Sequence, residues 1–294
     1  MQRTLPIRRL LPAMSAEEAL DLTNRPTLIT PADVDCIVTE SEIGLKPDGT
    51  PLYLLIKNII PYEFCMAAHP VALRVATRPI AGGTRAIAAG SYMEPRTRKD
   101  GSKGKRYEVA FQPHLEGAKD GIAGYVADRH PDGKMNCRLT SFSKQHWDEH
   151  MEFIPLTRKV AEVFHDYLPG FYAVQAAAAS LIDQNFVIEG TPFTTITINR
   201  NWRTAAHMDE GDLHSGFGAL TVLAAGAFLG GELGFPRYRI AVDFTMQDVL
   251  LCDVHEVHAN LPIIGTEGEF NRISFVFYLR ENMMSVCPAA GVVG

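Results

Sequence analysis

The spacing of apolar residues along the chain changes from the period of a helix to the period of a strand. Between residues 156 and 167 apolar side chains recur at helical spacing, and Pro169-Gly170 ends that pattern. The alanine-rich segment 171–182 predicts a second helix, because alanine has the highest helix propensity. From residue 193 onward apolar and polar positions alternate, which predicts strands at 193–199, 220–224, 239–244, 249–253 and 273–279.

The first third of the chain is rich in proline and glycine and contains short apolar runs, such as residues 52–60. This pattern predicts short strands and loops for residues 1–135, supporting helices for 136–190 and a strand core for 191–283. Helices followed by many short antiparallel strands are typical of the α+β class, with a rolled sheet buttressed by helices. Because no linker-like segment interrupts the chain, we expect a single domain over residues 1–294.

The composition is that of a chain with an ample core: 46% of residues are hydrophobic and 21% are charged. This composition excludes an intrinsically disordered protein. No apolar run approaches the roughly 20 residues that a membrane helix needs, so we expect no membrane partner. Five cysteines at irregular spacings predict neither a disulfide framework nor a zinc knuckle. A reducing, cytoplasmic location is therefore the expectation.

The net charge of −6 argues against an affinity of the whole surface for nucleic acid. A local basic segment is nevertheless present at residues 94–106. The simplest interpretation is a solvated, mobile surface loop, and the alternative is a contact with phosphates. The basic residues are Arg96, Arg98, Lys99, Lys103, Lys105 and Arg106.

Candidate metal ligands occur in and after the segment 199–209. In an extended chain His207 and Asp209 project to the same face, because side chains alternate with a period of two. A third ligand must come from a distant position, and His255 and His258 both follow a strongly apolar predicted strand. Two histidines and one carboxylate, with three open positions, are the ligand set of non-heme Fe(II) oxygenases, although zinc also accepts these ligands.

An arginine in the last predicted strand favours iron. Arg272, Ser274 and Tyr278 share one face of that strand, and the other face is apolar. A buried guanidinium needs an anion, and its fork matches a carboxylate such as the distal one of 2-oxoglutarate. The 2-oxo acid end of that molecule would chelate the metal and leave one position for O2. The ordered set of His-x-Asp, distant His and Arg therefore predicts an Fe(II)/2-oxoglutarate-dependent dioxygenase.

Four segments of the chain resemble the TET/JBP branch of the Fe(II)/2-oxoglutarate dioxygenases. The likeness is greatest to the thymine hydroxylases of base J synthesis and their bacterial and phage relatives. It spans roughly residues 70–283 and is most specific at 195–222, 230–236, 253–258 and 272–282. The resemblance implies a double-stranded β-helix core, of the jelly-roll or cupin-like kind, and hydroxylation of the 5-methyl group of a pyrimidine.

Matched to the family motifs, His207 and Asp209 take the first two ligand positions and Arg272 anchors 2-oxoglutarate. For the third ligand the resemblance favours His258, which a proline follows within a few residues. His255 remains as the lesser alternative. Glu232, in the Gly-Gly-Glu segment, is interpreted as structural.

Further polar residues are candidates for the pocket. Asn199, Asn201 and Arg203 each lie an even number of residues before His207. A straight strand would therefore point them to the same face, into the oxoglutarate or base pocket. The alternative is that they cap a bend in the strand. Asn199 and Ser274 are assigned to 2-oxoglutarate beside Arg272. The remaining candidates for the substrate pocket are Asn201, Arg203, Asp212, which completes a family-like His-x-Asp-x-x-Asp pattern, and Tyr278.

The predicted function is hydroxylation of thymine or 5-methylcytosine, in DNA or as a free nucleotide or nucleoside. A base in a duplex must leave the stack before it can react, and the basic segment would then contact phosphates. The acidic net charge favours the free substrate. Two other functions stay open: an oxygenase of the same fold acting on another small metabolite, and a non-catalytic nucleic-acid-binding module.

Overall fold

The computed structural model describes residues 4–25, 27–79, 87–90, 92–97, 100–108, 117–129 and 133–291. The strands are β1 Ile7–Arg9, β2 Cys36–Val38, β3 Glu42–Leu45, β4 Pro51–Ile56, β5 Arg78–Pro79, β6 Tyr92–Thr97, β7 Lys103–Glu108, β8 Lys119–Arg129, β9 Met135–Leu139, β10 Thr195–Arg200, β11 Gly218–Gly230, β12 Leu233–Phe235, β13 Ile240–Val242, β14 Val249–Cys252, β15 Ala259–Asn260 and β16 Ile263–Tyr278. The helices are α1 Ala16–Asp21, α2 Tyr62–Val75, α3 Ser141–Gln145, α4 Trp147–Met151, α5 Ile154–Tyr167, α6 Pro169–Ser180 and α7 Met283–Val286. No helix in the described part of the chain has the length and apolar character needed to cross a membrane.

Three layers build the molecule: helices, a large sheet and a small sheet. The large sheet has the strand order β1-β3-β4-β14-β11-β16-β10-β8-β5, with β9 paired to β8, and the small sheet has the order β15-β12-β13-β2. One face of the large sheet buries its apolar side chains against α2 and α5. The opposite face packs on the small sheet, where the rings of Tyr53 and Phe235 stack with centroids 6.3 Å apart. Burial on both faces makes the large sheet the centre of the fold.

The period of two in β16 divides its side chains between these layers. Ile273, Phe275 and Phe277 are fully buried on the helix side. The residues that alternate with them face the small sheet and include Ser274 and Tyr278. This division is the one that the alternating sequence predicts.

The predicted helices and late strands are present with small changes in their bounds. Helix α5 ends at Tyr167 and α6 begins at Pro169, so the proline stops one helix and starts the next. Strands β11 and β16 run for 13 and 16 residues, longer than predicted, because they pair with each other out to Gly230 and Ile263.

The prediction of only strands and loops for residues 1–135 is wrong, because α1 and α2 lie there. Helix α2 contains Pro70, which suggests a break. The helix continues because its buried residues fall on one face against the large sheet, and this burial outweighs the lost backbone hydrogen bond. Those buried residues are Cys65, Ala68, Val71, Ala72 and Val75.

The sheet extends beyond the predicted core at 191–283. Strand β3 pairs with β4, β4 pairs with β14, and β8 pairs with β10 in register from Thr195↔Gly124 to Arg200↔Lys119. These early strands alternate weakly or contain glycine. Their place in the sheet is therefore set by neighbours that are distant in sequence.

The basic segment is a hairpin and not the predicted loop. Strands β6 and β7 pair antiparallel from Tyr92↔Glu108 to Thr97↔Lys103. Lys103 Nζ donates a hydrogen bond to Thr97 Oγ1 at 3.0 Å. The backbone positions of Arg96, Lys105 and Arg106 lie in these strands, whereas Arg98 and Lys99 lie outside the described residues.

A disulfide joins Cys137 in β9 to Cys287 after α7, and their Cα atoms are 6.1 Å apart. The cysteine spacing predicts no disulfide framework, and this one pair departs from that prediction. Cys36, Cys65 and Cys252 are free. The pairing could not be read from spacing, because 150 residues separate the partners and only the fold brings them together.

Candidate active site

A cavity of about 340 Å³ lies between the large and small sheets. Its walls come from β8, β10, β11 and β16 on one side and from β12 and β15 on the other. Its lining combines polar groups with apolar side chains such as Leu220, Leu233, Val254 and Val276. A concave space that combines apolar side chains with several polar groups can hold a small molecule and fix its orientation.

Three potential metal ligands meet in this cavity. Ligand atoms of His207, Asp209 and His258 all lie within 4.8 Å of one another. The two imidazole Nε2 atoms are each 3.8 Å from an oxygen of Asp209, His207 facing Oδ1 and His258 facing Oδ2. The sequence prediction of His207 and Asp209 on a regular strand is wrong. The segment is irregular, and its one bridge pairs His207 with His258.

Backbone carbonyls fix the orientation of both imidazoles. His207 Nδ1 lies 2.8 Å from the carbonyl oxygen of Ala205, and His258 Nδ1 lies 2.9 Å from that of Glu256. In neutral imidazoles these contacts place the proton on Nδ1 and leave the Nε2 lone pair directed at Asp209. Two neutral imidazole nitrogens and one carboxylate fit a divalent first-row metal.

His255 does not join this group. Its Nδ1 is 3.6 Å from Asp253 Oδ1, and its ring packs edge-on against His214 with centroids 5.1 Å apart. Asp253 raises the pKa of His255 above its usual value. The structure therefore brings His258, and not His255, to His207 and Asp209.

Arg272 is a buried cation beside the same cavity. Its side chain is 3% exposed, donates from Nη2 to the carbonyl oxygen of Gly231 at 2.7 Å and lies over the Phe244 ring at 5.4 Å. Among the described residues, no ion pair within 4 Å includes Arg272. Burial lowers the pKa of Arg272 to about 10, so it stays charged at neutral pH. A buried, unpaired guanidinium is a site for an anion.

The Gly-Gly-Glu segment makes room for this arginine. A Cβ atom at Gly231 would lie 2.6 Å from Arg272 Nε, and Gly231 has a φ of +87°. Burial raises the pKa of Glu232 above its usual value. The glycine thus has a definite packing role, and the carboxyl of Glu232 does not form an ion pair with Arg272.

The predicted pocket residues separate into two groups. Asn199, Asp212, Ser274 and Tyr278 line the cavity. Burial and the neighbouring Asp209 carboxylate raise the pKa of Asp212 well above its usual value.

Neither Asn201 nor Arg203 lines the cavity, and Asn201 lies at a bend after β10, as the alternative predicts for it. Asn201 has a φ of +51° and turns the chain after β10. Its side chain donates to Phe270 O at 3.1 Å and accepts from Arg272 N at 2.7 Å. Arg203 donates to the carbonyl oxygen of Ile29. The positive φ reverses the side-chain alternation on which the prediction of a shared face depended.

Sequence reasoning missed several lining residues. Thr197 Oγ1 lies 3.2 Å from Tyr278 Oη, and Thr204 Oγ1 donates to Asn260 Oδ1 at 2.8 Å. Arg280 also lines the cavity. The period of two could have found Thr197 and Arg280. Thr197 lies two residues before Asn199 and Arg280 two residues after Tyr278, so in an extended chain each shares a face with a predicted site residue. Asn260 lies outside the predicted strands, so this spacing could not have found it.

Comparison with a solved structure identifies the fold, and a family model identifies the class of protein. The chain has the fold of NgTET1 in complex with 5mC DNA, with a TM-score of 0.56, 12% identity and coverage of 93% of this chain and 94% of that chain. That match shows the fold, a double-stranded β-helix, and the His-Asp-His group lies within it. The Tet_JBP model, described as the oxygenase domain of the 2OGFeDO superfamily, matches residues 121–281, and the chain belongs to this family. The predicted fold and family are confirmed.

Curated relatives carry this domain within much longer chains. Thymine dioxygenase JBP1 of Trypanosoma brucei brucei is 36% identical over 162 residues, which are 54% of this chain and 19% of the relative. The bifunctional helicase and thymine dioxygenase JBP2 of Leishmania major is 36% identical over 168 residues, which are 57% of this chain and 15% of the relative. The chain therefore matches less than a fifth of the length of either relative.

Proposed function

We propose that this chain is an Fe(II)- and 2-oxoglutarate-dependent dioxygenase that hydroxylates the 5-methyl group of a pyrimidine. One observation carries the proposal: three metal-ligating atoms converge in the same cavity beside which Arg272 is buried without an anionic partner. A structural metal site has no need of that arginine, whereas a site that binds a dicarboxylate does.

In this proposal His207, Asp209 and His258 hold the metal. The Nδ1 contacts to backbone carbonyls keep both rings in the orientation that ligation needs, so binding requires little rearrangement. Three protein ligands leave the remaining coordination positions open to 2-oxoglutarate and O2.

Arg272 pairs with the distal carboxylate of 2-oxoglutarate, and the hydroxyl of Ser274 and the amide of Asn199 provide further hydrogen bonds. Ser274 and Asn199 face each other across the β10–β16 pair, so both reach the same part of the cavity. Phe244 covers the guanidinium, which strengthens the ion pair because it keeps water away.

When bound, the metal with 2-oxoglutarate and O2 supplies the oxidation, in which the cosubstrate becomes succinate and CO2 and one oxygen atom enters a C–H bond of the substrate. The protein holds the methyl group near the metal and excludes water from it. Leu220, Val254 and Val276 provide the apolar surface for this purpose.

The substrate is assigned from the relatives, which are named thymine dioxygenases, and from NgTET1, whose structure holds 5mC DNA. Polar groups on the cavity wall, among them Asp212 and Tyr278, are suited to the edge of a base. The proposed substrate is thymine or 5-methylcytosine, in DNA or as a free nucleotide or nucleoside. We also propose that the basic hairpin contacts phosphates of this substrate. The proposed location of the protein is the cytoplasm.

Turnover of the Fe(II)-loaded protein tests this function. The protein is supplied with 2-oxoglutarate and O2 together with thymine-containing DNA, 5-methylcytosine-containing DNA and free thymidine nucleotides and nucleosides in separate reactions. Mass spectrometry measures succinate and a product with one added oxygen. We expect both, in equal amounts, in at least one reaction. Succinate without any oxidised pyrimidine would overturn the substrate class, and no succinate in any reaction would overturn the dioxygenase.

A further inference from the structure

A second cavity of about 460 Å³ adjoins the candidate active site. It lies where the end of α2, strands β5, β8 and β9 and the short helix α3 meet. Ile122 in β8 and Arg280 after β16 belong to the walls of both cavities. These two side chains are therefore the boundary that the two cavities share.

Positive charge predominates in the wall of this second cavity. Arg74, Arg78, Arg138 and Arg280 contribute to it, and Asp128 is the one carboxylate among its described lining residues. Four guanidinium groups around one space are typical of a site for phosphate, because their planar forks match its oxygens.

Three of these arginines pair with carboxylates, and all three pairs are exposed to solvent. Arg74 Nε lies 2.5 Å from Glu149 Oε2, Arg78 Nε lies 3.3 Å from Asp120 Oδ1, and Arg138 donates to Asp128. The three arginine side chains are 49%, 61% and 48% exposed. Ion pairs this exposed contribute little to stability, so each arginine can turn to a bound anion at small cost.

Arg280 connects the two cavities. Its Nε atom is buried and has no hydrogen-bond partner in the described part of the chain, and its guanidinium carbon lies 5.7 Å from the centre of the Tyr278 ring. A buried donor without an acceptor is costly, and an oxygen of a bound ligand would satisfy it. This donor lies between the proposed base pocket and the outer arginines.

The rest of the lining suits a nucleotide. The rings of Phe142 and His146 stack with centroids 5.3 Å apart and an interplanar angle of 23°. Thr140 and Ser141 add hydroxyl groups. Aromatic faces beside arginines are the usual components of a surface that follows a nucleic-acid strand.

We propose that the second cavity binds the phosphate group attached to the pyrimidine nucleoside whose base occupies the first cavity. This inference rests on the proposed function, and it makes a phosphate part of what the enzyme recognises. The phosphate belongs to a polynucleotide strand or to a free nucleotide, and the aromatic surface favours the strand. A nucleoside lacks the group and binds without these contacts.

Binding measurements on single variants test the proposal. Protein loaded with Fe(II) and 2-oxoglutarate is titrated calorimetrically without O2, using thymidine, thymidine 5′-monophosphate and a thymine-containing single-stranded oligonucleotide. We expect the phosphate-bearing ligands to bind more tightly than thymidine. Arg78→Gln and Arg138→Gln should each weaken the tighter binding about tenfold and leave thymidine binding unchanged, since each removes charge-assisted hydrogen bonds.

Two further variants separate phosphate binding from a general effect on folding. Asp128→Asn releases Arg138 from its partner and should strengthen the binding of phosphate-bearing ligands about threefold. A folding defect cannot produce this increase. Arg158→Gln is the matched control, because Arg158 is also about half exposed and paired, with Glu189, but lines neither cavity. It should leave all three affinities unchanged.

The outcomes identify the source of the phosphate. If Arg78→Gln and Arg138→Gln weaken the oligonucleotide alone, the site requires a strand; if they weaken the monophosphate as well, the phosphate of a free nucleotide is sufficient. Equal binding of all three ligands by the wild-type protein, or unchanged affinities in both variants, would overturn the proposal. Succinate formation by the wild-type protein is measured separately, so failure of the dioxygenase and failure of the phosphate site give different results.

Discussion

His207 and His258 exchange two backbone hydrogen bonds, each 3.0 Å long, and their imidazole ring centroids are 4.3 Å apart. The bridge is isolated and belongs to no regular strand. It joins two segments that are fifty-one residues apart in the chain, as their numbers show. The relative position of the two imidazoles is thus fixed by main-chain bonds before any metal binds, and this favours rapid and tight metal binding.

Removal of one imidazole should abolish metal binding at this site. We expect His258→Ala to lower the affinity for Fe(II) by more than about 100-fold, because even the loss of an outer hydrogen-bonding partner commonly costs 10–100-fold. The measurement is anaerobic equilibrium dialysis with Fe(II) quantification. His255→Ala is the matched control and should bind Fe(II) like the wild type. If His255→Ala loses the metal and His258→Ala retains it, the assignment of the third ligand is wrong.

Arg272 should control the affinity for 2-oxoglutarate and not for the metal. Arg272→Gln removes the charge and should raise the KM for 2-oxoglutarate more than about 100-fold, whereas Arg272→Lys keeps the charge without the fork and should raise it about tenfold. Fe(II) affinity, measured by dialysis, should stay within about twofold of the wild type.

Arg203→Lys is the control for this series, because the Arg203 side chain donates to a backbone carbonyl and does not line the cavity. Its KM for 2-oxoglutarate should equal that of the wild type. A raised KM in Arg203→Lys with an unchanged KM in Arg272→Gln would mean that the anchor has been misassigned.

Regular alternation made much of this site predictable from the sequence. In β16 it correctly separated Ser274 and Tyr278 from the buried Phe275 and Phe277, since side chains in a strand point to opposite faces. The same argument failed at Asn201, where a positive φ interrupts the alternation. A local pattern carries information only as far as the backbone stays regular.

Features that depend on tertiary contacts could not be predicted. Helix α2 continues through Pro70 because the large sheet covers one of its faces. Cys137 and Cys287 meet only because β9 and the end of the chain pack together. No short segment of sequence contains both α2 and the sheet strands that cover it, or both cysteines. Helix propensity alone predicts a break at Pro70, and cysteine spacing alone predicts no pair.

Asn201 should stabilise the chain through both its backbone conformation and its side chain. Asn201→Ala loses two hydrogen bonds and places alanine, which adopts the left-handed region less readily than asparagine, at a φ of +51°. We expect it to lower the free energy of unfolding by about 2–3 kcal/mol. Asn201→Gly loses the same hydrogen bonds but tolerates the φ, so it should be about 1 kcal/mol more stable than Asn201→Ala. Urea unfolding measures both, and equal stability of the two variants would contradict a strained position.

The Cys137–Cys287 bond should contribute measurably to stability. Without reductant, denatured protein should titrate three thiols, and with reductant five, as the pairing requires. Cys287→Ala should lower the free energy of unfolding by about 2–4 kcal/mol, because the bond closes a long loop in the unfolded chain. Cys36→Ala, at a free and partly exposed cysteine, is the control and should change it by less than about 1 kcal/mol. Five thiols without reductant would contradict the bond.

His150 should make the protein less stable in mild acid. Its side chain is 1% exposed, its Nδ1 lies 3.2 Å from Ser143 Oγ, and burial lowers the pKa of His150 to about 4. An unfolded histidine titrates near a pKa of about 6.5. Between these values the unfolded state binds the extra proton, so the stabilisation is complete above about pH 6.5 and is lost as the pH falls toward 4. At pH 5 the loss relative to neutral pH amounts to about 2 kcal/mol.

Comparison of the wild type with His150→Gln isolates this effect from other groups that titrate in acid. Glutamine can keep a hydrogen bond to Ser143 but does not titrate, so the variant should lose about 2 kcal/mol less than the wild type between pH 7 and pH 5. Urea unfolding at both pH values gives the two differences. Parallel losses in the wild type and the variant would show that His150 binds its proton equally well in the folded and unfolded chains. The side chain would then be accessible to water, in contradiction to its 1% exposure.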